Sequence, residues 1–370
     1  MNNITKDERE LLSKPGDTIL ETLEFLKMSQ AQLAERIGKT PSKINDLISG
    51  KEPITVSTAL QLETVLGIEA QFWLNREMNY REKLSRLDQE DALEECIDWL
   101  KQQPLKELKQ LGYIKTKNVG AAMVGECLKF YGVATPVQWE SIYVDEYATT
   151  SFRKSKAHSA ALGSLAAWLR IGEIDLRKRD LPVYNKDAFK DALIKAKSLV
   201  RAHPEDFAQR LQGLCFEAGV ALIYTVCLPN APLSGATRWI SGTPLIQLTD
   251  RYKSNDQFWF TFFHEAGHLL LHGKKEVFIE DFEGSEINDV KEKEADEFAV
   301  KSLLPENFLR ELPDHQITEQ DVRSLARKLD THPAIIVGRL QYLRIVPYSF
   351  GSKFKEKVIL DYVIKQQSKQ

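Results

Sequence analysis

The chain has 370 residues, 43% of them hydrophobic, enough for sizeable cores and for two or three globular domains. Its 50 basic and 53 acidic residues leave a formal net charge of −3, which excludes bulk attraction to nucleic acid or anionic membranes and restricts such binding to local patches. Four scattered cysteines with no C-x-x-C pair, no apolar signal region at the start and no apolar run of about 18 residues predict reduced thiols, no membrane span and a cytoplasmic location.

Residues 1–84 read as short helices with clear punctuation. Pro15-Gly16-Asp17 precedes a helix over 18–28, with Ile19, Leu23 and Leu26 on its apolar face. Ser29 caps a second helix over 30–37, with Leu33, Ala34 and Ile37 inward, and Gly38 ends it. Thr40-Pro41 starts a third, with Ile44, Leu47 and Ile48 inward and Ser42, Lys43, Asn45, Asp46 and Ser49 outward, and Gly50 closes it. Two short helices about a tight glycine turn form a helix-turn-helix.

Gln30-Ala31-Gln32-Leu33-Ala34 and Ser49-Gly50-Lys51 resemble the Xre/Cro-type repressor domain. Pro15-Gly16, the helix start from Ile54 to Ala59, Leu66-Gly67-Ile68 and Phe72-Trp73-Leu74 resemble HigA-type antitoxins over nearly all of residues 13–83. The resemblance implies a homodimer that binds operator DNA and neutralises a toxin encoded nearby. By matching position it implies that Ser42, Lys43 and Asn45 face base edges and that Gln30, Thr40 and Lys51 face phosphates. Residues 1–80 hold six lysines and three arginines against twelve acidic residues, so Lys39, Lys43 and Lys51 give only a local basic patch. A dimer would double it. The alternative is a helix-turn-helix used for protein contact.

Residues 85–185 predict a helical middle region, with Leu93, Ile97, Leu100 and then Leu105, Leu108, Leu111 at helical spacing. Trp139, Phe152-Arg153 and Trp168-Leu169-Arg170 are core or, alternatively, a partner surface. A helix pair over 188–219 leads into the apolar strand 220–224, an order that suits an α+β core. The run 244–248 is a further β-prone segment, expected as an edge strand that takes an extended peptide, with Arg238, Trp239 and Tyr252 as candidates to line that cleft.

The chain then reads Phe263-His264-Glu265-Ala266-Gly267-His268-Leu269, an H-E-x-x-H pattern in an apolar run. Ser254-Asn255-Asp256-Gln257 has the S-x-x-Q form of a capping box, so the pattern sits on a buried helix. Positions i and i+4 share a face, so His264 and His268 can hold one metal ion, and Glu265 can take a proton from water beside it. Leu271 and Lys274 stand where an H-E-x-x-H-x-x-G-x-x-H site needs Gly and His, which excludes that class. His272 cannot complete the site, since i and i+8 lie about 12 Å apart along a helix axis; it is outer support for the ligands or surface. The third ligand is expected in the E-x-x-A-D pattern of Glu292-Lys293-Glu294-Ala295-Asp296, 24 residues beyond His268. Glu292 would ligate and Asp296 would fix a histidine tautomer, with Glu294 as the competing ligand. Ala295 allows close helix approach, and Lys291, Lys293 and Glu297 are expected on the solvated face.

The segment 238–305 resembles the ImmA/IrrE family of bacterial metallopeptidases, through residues 260–270, Glu294-Ala295-Asp296-Glu297-Phe298-Ala299 and Leu303-Leu304-Pro305. The resemblance implies Zn²⁺ or a similar ion, His264 and His268 as ligands, Glu265 as general base, and action on helix-turn-helix repressors. Residues 318–345 are again helix-turn-helix-like and could cap the peptidase or recognise a partner. The expected architecture is mainly α and α+β: an all-α helix-turn-helix domain at 1–84, the helical middle region at 85–185, an α+β zincin-like peptidase domain at 186–312, and a C-terminal helical segment at 313–370. The expected function is a DNA-binding regulator or antitoxin that carries a zinc endopeptidase acting on a toxin or repressor partner. The alternatives are a non-cleaving antitoxin or sensor, and a plain repressor with structural zinc.

Overall fold

The helices near the start of the chain begin on the residues that cap them. Ser29 Oγ accepts the Gln32 N–H at 3.2 Å while its own N–H donates to Gln32 Oε1 at 2.9 Å. Thr40 and Thr55 accept the N–H groups of Lys43 and Thr58, both at 3.3 Å. These caps start α2 (Gln30–Arg36), α3 (Pro41–Ile48) and α4 (Val56–Leu66), which follow α1 (Pro15–Phe25) and precede the long α5 (Ala70–Glu94). The computed structural model describes residues 8–144, 156–231, 233–249, 251, 254–273, 278–279 and 289–360.

The chain divides into two units, residues 1–100 with 114–127 and residues 101–113 with 128–370. In the first, Ile19, Leu23, Leu33, Ile44, Leu47 and Leu62 pack with Trp73 into one core. Each such side chain contributes about 1.5–3 kcal/mol when fully buried. Trp73 is fully buried, and its indole N–H donates to the Ile68 carbonyl at 3.1 Å. Leu26, expected on the apolar face of the first helix, lies past its last turn and is 40% exposed. Arg81 fastens α5 to the end of α3 by donating to the Gly50 carbonyl at 2.9 Å.

Short helices follow: α6 (Leu105–Gln110), α7 (Ala121–Tyr131) and α8 (Pro136–Trp139), then the long α9 (Lys156–Arg177). Trp139 and Trp168 are buried, as expected of core residues, whereas Phe152 and Arg153 lie outside the described residues.

In the second unit, α10 (Lys186–Ala202) and α11 (Phe207–Glu217) lead into β1 (Ala221–Thr225), β2 (Gly235–Ile240) and β3 (Thr243–Thr249). After α12 (Asn255–Leu271) come β4 (Phe278–Ile279), α13 (Asp289–Leu303), α14 (Glu319–Lys328) and α15 (Pro333–Tyr342). The sheet order is β1-β3-β2-β4, with β1 parallel to β3 and the other pairs antiparallel. The period-2 alternation of strands sorts the faces. Leu222, Tyr224, Ile246 and Leu248 join the main core with α11 and α12, while Ala221, Ile223 and Leu245 meet Leu176 of α9 on the other side.

The expected edge strand 244–248 is β3, which is paired on both sides. Its register with β1 (Leu222↔Ile246) and β2 (Thr237↔Ile246) uses both rows of its backbone groups, so it has none left for an added peptide. Arg238 does not line a cleft either. It is 2% exposed and donates to Gln247 Oε1 at 3.0 Å, to the Leu169 carbonyl and to Glu173. Gln247 in turn donates to the Trp168 carbonyl at 2.7 Å, so a polar pin holds α9 on the sheet. Trp239 is half-buried against Tyr184, and Tyr252 lies outside the described residues.

Helix α12 starts after Ser254 as expected, but by other means than a capping box. Ser254 Oγ donates to Gln257 Oε1 at 2.9 Å. The start is fixed instead by the C-terminal segment, where Asn255 N–H donates to the Glu356 carbonyl at 2.9 Å and Asn255 Oδ1 accepts the Glu356 N–H at 3.1 Å. Helices α14 and α15 add Val322, Leu325, Ile336 and Leu340 to the core around α12. The result is a helix-rich protein with an N-terminal helix-turn-helix region and a small mixed sheet in a C-terminal α+β domain, as expected. No helix among the described residues is long and apolar enough to cross a membrane.

Candidate functional site

The packing of α12 against α13 builds the site. Gly267 on α12 faces Ala295 on α13 so closely that a Cβ on Gly267 would stand 3.2 Å from the Ala295 Cα and from Phe298. Two small residues in register thus bring the helix backbones together, and the residues one turn away on each helix meet. His264, Glu265 and His268 are buried, at 2%, 0% and 2% exposure, while the Glu292 side chain is 34% exposed and forms the solvent side.

Glu292 Oε2 lies 3.1 Å from His264 Nε2 and 3.5 Å from His268 Nε2, and the two Nε2 atoms are 2.9 Å apart. Tetrahedral coordination with bonds of about 2.0–2.1 Å sets ligand atoms about 3.3 Å from one another. The far sides of the rings fix the tautomers. His264 Nδ1 lies 2.9 Å from Asp296 Oδ1, an acceptor only, so Nδ1 carries the proton and Nε2 the lone pair. His268 Nδ1 lies 3.0 Å from His272 Nδ1, and His272 Nε2 lies 3.0 Å from Glu294 Oε2. A proton on His272 Nε2 toward Glu294 leaves its Nδ1 to accept from His268, which also frees the His268 Nε2 lone pair. Two ring nitrogens and a carboxylate oxygen therefore converge on one point, an arrangement that could hold a metal ion. The N, N, O donor set fits Zn²⁺.

Burial pushes the Glu292 carboxyl up, and the neighbouring His264 and His268 rings more than offset it, bringing it to about 2. Burial lowers the His268 imidazole from its ordinary 6.5, against the raising effect of Glu292. The His268 ring also stacks on Phe278 of β4, with centroids 4.0 Å apart.

Of the residues expected at the site, His264, His268 and Glu292 come together, within 4.8 Å of one another, and Asp296 backs His264. Glu294 and His272 stand behind His268, so the competing carboxylate is engaged elsewhere. Thr237 on β2 was not anticipated. Its hydroxyl is 2.6 Å from Glu265 Oε2 and 3.0 Å from the Glu265 carbonyl. A Cβ on Gly235, two residues earlier, would come within 2.6 Å of Glu265 Oε1, so the absence of a side chain there makes room for the carboxylate. A lone threonine in a short strand carries no sequence signal for this contact.

On the helix-turn-helix, Gln30, Thr40, Ser42, Lys43, Asn45 and Lys51 are all exposed. The last five lie on α3 or at its ends and Gln30 opens α2, so all of them are available to a partner.

Comparison with known proteins assigns both regions. Residues 23–73 match the family described as helix-turn-helix, and residues 222–340 the family described as IrrE N-terminal-like domain. Among curated proteins, the chain is similar to the "Uncharacterized HTH-type transcriptional regulator YddM" of Escherichia coli (strain K12), with 37% identity over 62 residues. That match covers 17% of this chain and 66% of the relative. It is also similar to "Virulence-associated protein I" of Dichelobacter nodosus, with 35% identity over 79 residues, 20% of this chain and 71% of the relative. The chain thus spans about two thirds of the length of each relative, and most of it has no counterpart in either. The protein belongs to the helix-turn-helix family through residues 23–73 and carries an IrrE N-terminal-like domain over residues 222–340.

Proposed function

We propose that this protein is a transcriptional regulator whose IrrE-like domain is a zinc-dependent endopeptidase acting on a regulatory protein partner. The observation that carries the reading is the convergence of His264 Nε2, His268 Nε2 and Glu292 Oε2, with both histidine tautomers set from behind. His264, His268 and Glu292 would hold the ion. Zn²⁺ bound there would supply the Lewis acidity that makes water nucleophilic at neutral pH and polarises a peptide carbonyl. Glu265 takes the proton of the attacking water, its carboxylate held by Thr237 through Oε2, and then gives it to the departing amide nitrogen as the C–N bond breaks.

Exposed residues on and beside α3 read operator DNA in this proposal, with Ser42, Lys43 and Asn45 at base edges and Thr40, Lys51 and Gln30 of α2 at phosphates. A homodimer supplies two recognition helices, and the HigA resemblance makes a toxin or repressor encoded nearby the first candidate substrate.

The test incubates purified protein, with its metal content measured, with the products of the neighbouring genes. Zinc near one per chain and a discrete fragment are expected. Glu265→Gln should keep the zinc and abolish the fragment, and cleavage by that variant would overturn the mechanism. A stable complex that forms without cleavage would instead make the domain a binding module.

A further inference from the structure

We propose that Arg238 is a positioning residue: with Arg170 and Glu173 it fixes strand β2 from the far side of the sheet and so holds Thr237 against Glu265. The catalytic consequence rests on the endopeptidase reading above; the placement of Thr237 does not.

Residues 237 and 238 are neighbours on β2 and, by strand alternation, point to opposite faces of the sheet. Thr237 turns to α12, where its hydroxyl lies 2.6 Å from Glu265 Oε2 and 3.0 Å from the Glu265 carbonyl. Arg238 turns to α9. Its Nη1 donates to Glu173 Oε1 at 3.2 Å, and its Nη2 to Gln247 Oε1 at 3.0 Å and to the Leu169 carbonyl. The second oxygen of Glu173 accepts from Arg170 Nη1 at 2.8 Å, and Arg170 Nε donates to the Phe130 carbonyl at 2.8 Å. Gln247, fully buried on β3, donates to the Trp168 carbonyl at 2.7 Å and to Thr225 on β1 at 3.0 Å. One peptide unit therefore joins the support of Glu265 to a fixed point that ties β2 to α9, β3 and β1.

The make-up of that fixed point argues for position over stability. Arg170 and Arg238 are 7% and 2% exposed, and the Glu173 carboxylate faces both. Mutual attraction offsets the desolvation of such buried charges poorly, and apolar residues of similar volume in their place are often as stable or more so. What the triad supplies is direction, because a planar guanidinium with acceptors on two sides has one orientation. Helix α9 also lies tightly on the sheet: a Cβ on Gly172 would stand 2.1 Å from Gln247 Oε1. The contact of Thr237 with Glu265 survives a displacement of only about 0.5 Å, so β2 needs such an anchor. Helix α9 precedes the family match at 222–340, yet by this route it belongs to the working site.

Two variants of the full chain test this. Arg238→Met removes the fork. Glu173→Met/Arg238→Met/Gln247→Met replaces the network by apolar side chains, and so keeps a folded variant in hand if the single change strands Glu173 and unfolds the domain. In either, zinc content should stay at the wild-type level and kcat for fragment formation should fall about tenfold at unchanged KM. In a Thr237→Val background the same changes should add no further loss, since the hydroxyl they act through is gone. The Thr237 methyl resonance of the metal-free chain, assigned by its absence in Thr237→Val, should shift in both variants and shift less in Arg238→Lys, which keeps a donor. An additive loss in the Thr237→Val background overturns the proposal, as does a folded triple variant with wild-type kcat or an unmoved Thr237 methyl. Failure of both variants to fold would make the network a stability element and overturn it too. A wild-type chain that cuts nothing, with the methyl shifted in the variants, sinks the cleavage reading alone.

Discussion

Thr237 and Asp296 do for Glu265 and His264 what no ligand can do for itself: each holds a functional atom in one orientation. Their loss should separate two properties. Asp296→Asn offers His264 an amide that can turn either end to Nδ1, so zinc affinity should fall about 10–100-fold in a chelator competition. Thr237→Val keeps the shape and removes the hydroxyl, so zinc should stay while the rate of fragment formation falls by at least about tenfold. Metal loading also has a predictable pH dependence. Protons compete with the ion for imidazole lone pairs, and a histidine with a lowered pKa yields to protons only at lower pH. His268 should therefore keep its zinc below the ordinary imidazole range, and a loss of metal already above pH 6.5 would contradict that. At this scale much was legible. His264, Glu265 and His268 are fixed by helical spacing alone, and Glu292 with Asp296 by the same spacing on a second helix. The choice between Glu292 and Glu294 was not, because it depends on how α13 is rotated against α12, a tertiary quantity that the contact of Gly267 with Ala295 decides.

That contact belongs to the helices rather than to any one side chain. Gly267→Leu should push α12 and α13 apart, lowering stability by about 1–3 kcal/mol in thermal unfolding and releasing zinc with it. Thr40→Ala removes the cap of α3 and should cost about 1 kcal/mol, confined to the first unit. Helix starts were legible because caps act over three or four residues, as at Ser29, Thr40 and Thr55. Strand order was not. β3 pairs with β1 across the whole of β2, and nothing local to 244–248 distinguishes a central strand from an outer one. The start of α12 misled in the same way. Its S-x-x-Q pattern is local, but the bonds that fix the helix come from Glu356, a hundred residues on.

Across the whole molecule the charge balance sets what DNA binding can look like. Lys39, Lys43 and Lys51 give α3 only a small basic patch, so few phosphates can be neutralised. The logarithm of operator affinity should therefore fall with the logarithm of salt along a shallow slope. Lys51→Ala should reduce that slope by about 1 for each copy bound while leaving sequence preference intact. Ser42→Ala and Asn45→Ala should do the reverse.

The attachment of α12 to residues 355 and 356 bears on where this domain can be cut. The family match ends at residue 340, yet Lys355 is the counter-charge of Asp256 and Glu356 holds the first residue of the histidine-bearing helix. A fragment trimmed to the match would lose this pair together with the core residues Val346, Phe354, Val358 and Leu360. It should express as insoluble or metal-free protein, whereas one extended to residue 360 should fold and take up zinc. The boundary by sequence likeness and the boundary by folding differ by some twenty residues, and those residues close the core over the buried end of α12.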